Sequence, residues 1–74
     1  MNLTIVAWPP ERGQKIPSSL KRSVKKLLKR ARIDGEVSIV PGCLLIAAKN
    51  VSSDDVVYAL RILQGAGYNT GVQV

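Results

Sequence analysis

Histidine and phenylalanine are missing from this chain, and cysteine, methionine and tryptophan occur once each. Without histidine there is no Cys-His nucleophile. A lone cysteine, Cys43, allows no disulfide, and with no histidine beside it there is no structural zinc set. Cys43 follows a glycine at the start of an apolar run and reads as a buried, inert thiol. Acids are few, five against eleven Lys and Arg. Two of them, Asp54 and Asp55, are neighbours that diverge by about 100° on a helix, so they form no catalytic pair. These gaps argue against an enzyme and against a metal or other cofactor. No apolar run approaches the roughly 20 residues that span a bilayer. The opening MNLTIVAW lacks the basic start and cleavage site of a secretory signal. The expectation is a cytoplasmic, reduced protein away from membranes.

The 74 residues are enough for one domain, 1–74, with a modest core. Such a chain draws its stability from packing, from a partner, or from both. Its net charge is +6, and the distribution is more informative than the total. Lys15, Lys21, Arg22, Lys25, Lys26, Lys29, Arg30 and Arg32 crowd into one stretch, and no acid falls between Arg12 and Ile33.

Residues 3–8 are short, β-branched and apolar, which predicts a strand ended by Pro9-Pro10. Residues 9–17, PPERGQKIP, form a loop that is long for so small a domain, and long loops are more often functional. A basic helix follows over 18–32, with Ser18 or Ser19 as its cap. Leu20, Val24, Leu27, Leu28 and Ala31 recur on one face of it. Asp34-Gly35 is expected to supply the turn. Strands over 36–40 and 43–49 flank Pro41-Gly42, a type II turn pair. The second of these strands, CLLIAAK, is apolar almost throughout, so it is expected to be central and covered on part of both faces. A second helix over 53–64 has Ser52 and Asp55 as a capping box, and Val51 with Val56 as a hydrophobic staple. Gly65 and Gly67 end it, one of them left-handed. A last strand covers 68–74, with Thr70, Val72 and Val74 on one face. The order β-α-β-β-α-β with right-handed crossovers is the ferredoxin-like α+β fold. It places two helices on one face of a four-stranded antiparallel sheet of order 4-1-3-2.

The stretch from Val51 through Gly67-Tyr68, a capped helix ending in Gly-Tyr ahead of an edge strand, resembles the end of heavy-metal-associated domains. What the resemblance implies is the same fold. The metal site of that family is a Cys-x-x-Cys after the first strand. Here that region reads PPERGQKIPSS, without cysteine, so the metal-binding activity is not implied.

Three features are candidates for function. The first is the basic helix. Seven cations without an acid repel one another and forgo the usual i,i+4 pairs. Lys21 and Arg22 also sit where the helix dipole disfavours positive charge. A polyanion would relieve both, through Coulomb attraction and counterion release; the plain alternative is a solvated outer face. The second is the loop, whose Arg12 and Lys15 precede the free amides of the helix start, a phosphate-seat arrangement. Together these make Arg12, Lys15, Lys21, Arg22, Lys25, Lys26, Lys29, Arg30 and Arg32 the expected contacts to a DNA or RNA phosphate backbone. The third is the far sheet face with Thr4, Val6 and Trp8, together with the uncharged last strand. The central strand carries no aromatic, which argues against base stacking of the RRM kind. This face or the last strand suits a second copy of the chain, so a homodimer or a module docking an acidic protein partner is the alternative reading.

Overall fold

The computed structural model describes residues 2–73. In order along the chain run β1 (Leu3–Trp8), α1 (Ser18–Arg30), β2 (Asp34–Val40), β3 (Cys43–Lys49), α2 (Ser53–Gly65) and β4 (Asn69–Gln73). The strands form one antiparallel sheet in the order β2-β3-β1-β4. This is the ferredoxin-like βαββαβ architecture, with β3 and β1 central.

Alternation along the strands decides which side is core. Leu3, Ile5 and Ala7 of β1 and Leu44, Ile46 and Ala48 of β3 are buried, and they share the side covered by the helices. Val24 and Leu28 of α1 and Ala59 and Leu63 of α2 close over them. Helix α1 lies over β2, and α2 lies over β4 and β1. Gly35 faces this core without crowding it: a Cβ there would stand 3.3 Å from Ile46 Cγ2, a tight contact, and 3.7 Å from Leu28 Cδ1 of α1, an ordinary one.

CLLIAAK is central, as expected, and its cover on the second face is only partial. Leu44, Ile46 and Ala48 are buried, whereas Cys43 and Leu45 are half-buried and Ala47 is exposed. No second layer lies on that side of the sheet among the described residues. Cys43 is accordingly a free, half-buried cysteine on the open face rather than a buried one.

The first helix departs from expectation at both ends. Pro17 occupies the N-cap position with no side-chain cap, and Ser18 and Ser19 lie inside the helix. At the other end, helical geometry stops at Arg30, with Ala31 as C-cap, so Arg32 is not helical. Arg32 takes a left-handed conformation, φ 58°. Its N–H donates to the Lys29 carbonyl at 3.2 Å, and the Ile33 N–H donates to the Leu28 carbonyl at 2.9 Å. That pair of bonds is a Schellman closure, and buried Ile33 and Leu28 supply its apolar contact. Because the closure already reverses the chain, Asp34-Gly35 is not a turn. Both residues pair with β3, opposite Lys49 and Ala48.

Helix α2 closes the same way, with Gly67 at φ 93°. Gly67 N–H donates to the Gln64 carbonyl and Tyr68 N–H to the Leu63 carbonyl. The Ser52–Asp55 capping box is present in both directions. Tyr68 precedes β4 instead of starting it, and Val74 lies outside the described residues.

Candidate polyanion-binding face

Helix α1 presents six cations in two rows. Lys21, Lys25 and Lys29 form one i,i+4 row, and Arg22, Lys26 and Arg30 form the other. Each row runs about 12 Å along the axis. The helix contains no acidic residue. All six are exposed except Lys21, which is half-buried.

The two rows differ in their surroundings. Lys25 borders a concavity of about 410 Å³ at the sheet edge, shared with Asp34, Glu36 and Lys49. Its row leans toward the only acids of β2. Lys26 and Arg30 instead flank a shallow concavity of about 250 Å³ with Ser23 and Leu27. That row points away from the β2 acids. Ser23 was missed as a sequence candidate. Its signal is its position, three residues before Lys26 and seven before Arg30, which puts a neutral hydroxyl donor on the cationic stripe. Leu27 is half-buried and borders this concavity.

The loop is ordered by its own chemistry. Gln14 N–H donates to the Glu11 carbonyl at 3.3 Å, and Gly13 has φ 83°, which sets Arg12 on the corner of a turn. Pro9 is buried, and Ile16 packs against the core. Gly13, Gln14, Lys15 and Ile16 form one wall of a groove of about 380 Å³; Ile39, Val40, Pro41 and Gly42 of the β2–β3 hairpin form the other. Arg12 and Lys15 are exposed in the loop that leads into α1, while Lys29, Arg30 and Arg32 stand at its carboxyl end. The thirteen residues of α1 span about 18 Å. The expected residues are therefore spread along the helix and into the loop and do not converge on a single anion seat.

Among the described residues, no group of His, Cys, Asp or Glu is placed to hold a metal ion, and no helix is long and apolar enough to cross a membrane. Compared with known protein families, curated proteins and solved structures, the chain matches none.

Proposed function

We propose that this protein binds nucleic acid, DNA or RNA, without catalysing a reaction on it, through the outward face of α1 and the loop before it. The observation that carries this reading is the pair of cationic i,i+4 rows on an acid-free helix. A small anion would be held by a few convergent groups. Two rows running about 12 Å match an extended run of phosphates instead. Arg22, Lys26 and Arg30 are the central contacts, with the Ser23 hydroxyl as a donor among them. Arg12 and Lys15 extend the strip at one end, and Arg32 does so at the other. Lys21, Lys25 and Lys29 contribute charge from the side nearer β2. Contacts of this kind position a protein on a backbone and read little sequence.

Salt dependence tests the reading. If four to six phosphates are neutralised, raising salt from about 50 to 200 mM lowers affinity about 100- to 1000-fold. Affinity for duplex or single strand that stays flat over this range overturns the proposal. So does capture of an acidic protein that nuclease treatment leaves unchanged, together with no binding to nucleic acid.

A further inference from the structure

We infer that two copies of this chain pair antiparallel through β4, with Gly71 at the two-fold axis. The two edges of the sheet are unlike. The β2 edge carries Asp34 and Glu36 and runs into Pro41, all of which discourage strand addition. The β4 edge, Asn69–Gln73, has neither charge nor proline, and within the sheet β4 pairs with β1 alone.

The sequence of β4 is self-complementary about its middle. Pairing about Gly71 sets Thr70 opposite the second copy's Val72, and Asn69 opposite the second copy's Gln73. Thr70 and Val72 lie on the helix side, because their β1 partners are the buried Ala7 and Ile5. A β-branched pair would thus form on one side and an amide pair on the other, both favourable across antiparallel strands. Any register shifted by one residue would put Val72 against a residue of the opposite face.

Apolar surface flanks this edge. Val72 is 41% exposed and Val57 of α2 is 45% exposed. Gln64 Nε2 donates to Thr70 Oγ1 at 2.9 Å, which fixes the stripe of α2 that faces β4. Val57 lies two turns earlier on that stripe, toward the Val72 end of β4. Strand pairing covers both valines. On the open side, the Trp8 ring already covers Gly71: a Cβ there would stand 3.4 Å from Trp8 Cζ3. Pairing through β4 also keeps the cations apart, since α1 lies over β2 at the opposite edge.

The interface is small. One five-residue strand and two flanking valines bury less than about 1,000 Å², the range of weak, concentration-dependent association. The product is an eight-stranded sheet with both α1 helices on one side. Strands are spaced about 4.8 Å apart, which puts the two helices about 25–35 Å apart, close to the roughly 34 Å turn of a duplex. That last step rests on the nucleic-acid reading, and the pairing does not.

Sedimentation equilibrium without nucleic acid, from about 10 μM to 1 mM in moderate salt, tests the pairing in a range set by the small interface. The average mass should rise from one chain toward two, with a blue shift of the single tryptophan. Val72→Lys should remain one chain over the same range, and so should Val57→Lys, whose exposed helical site does not threaten the fold. A wild-type chain that stays single throughout overturns the inference. So does self-association that survives both substitutions and is lost in Leu45→Lys, which would move the contact to the open sheet face. On a duplex of about two turns, Val72→Lys should bind at least tenfold more weakly than wild type, with the salt slope per chain kept. If neither protein binds the duplex, the nucleic-acid reading fails while the sedimentation result still decides the pairing.

Discussion

Arg32 is the residue at which stability and the proposed function pull apart. It holds a left-handed conformation, φ 58°, at the position where helices usually place glycine. Gly67 fills the equivalent position after α2. The Arg32 side chain is exposed, so its replacement loses no core packing. Arg32→Gly should stabilise the chain by about 0.5–1 kcal/mol, or about 3–6 °C in thermal denaturation. The same variant should bind nucleic acid more weakly. A melting temperature at or below wild type would contradict the backbone account. Ser52 offers the opposite case. Its hydroxyl accepts from Asp55 N–H at 3.2 Å, and the Asp55 carboxylate accepts from Ser52 N–H. Ser52→Ala should cost about 1 kcal/mol, read by chemical denaturation, with nucleic-acid affinity unchanged.

At the level of elements, the two helices are built differently. Helix α2 is capped at both ends, carries Asp54 and Asp55 in its first turn, and bonds to β4 through Gln64. Helix α1 follows Pro17, an N-cap without a side-chain bond, and has one cation, Lys21, at the end of its first turn, against the dipole. Its last turn, with Lys29 and Arg30, agrees with the dipole. The two cationic rows of α1 should also be separable. Lys26→Glu and Arg30→Glu should each weaken binding about tenfold and lower the salt slope by about one. Lys25→Glu should weaken it less, because Asp34 and Glu36 border the same concavity and already offset part of that charge. Circular dichroism should be unchanged for all three, since these side chains are exposed. Equal losses at Lys25 and Lys26 would mean that the two rows share the contact.

For the molecule as a whole, net charge +6 concentrated along one strip opposes folding through self-repulsion. Salt screens that repulsion over about 10 Å at 0.1 M. Thermal stability should therefore rise as sodium chloride is raised from low to moderate concentration, over the same range in which affinity for nucleic acid falls. Screening relieves the repulsion whether or not the face binds anything, so the fall in affinity is the response that distinguishes a binding face from a merely solvated one. A melting temperature that falls on adding salt would show that favourable ion pairs outweigh the repulsion along α1.

The element order and the side of the sheet that is buried were legible in the sequence, because both follow from local periodicity. Period-two burial in β1, the Ser52–Asp55 box and a left-handed glycine at one of positions 65 and 67, which the structure shows to be Gly67, each involve residues a few positions apart. Cationic crowding on α1 was legible for the same reason. What lay beyond local pattern was decided by packing. Arg32 carries no glycine-like signal; its left-handed turn arises because Ile33 and Leu28 are drawn into one core, which carries Asp34 and Gly35 into β2. The bareness of the open face depends on there being two helices among the described residues, both committed to the other side. Which cations face acids, and which edge is free of charge, depends on the order β2-β3-β1-β4, since neighbours across a sheet are distant in the chain. The sequence alone determined that this is a basic ferredoxin-like chain with an acid-free helix. The tertiary structure decided that Arg22, Lys26 and Arg30 face away from the β2 acids and that the uncharged β4 is an edge of the sheet.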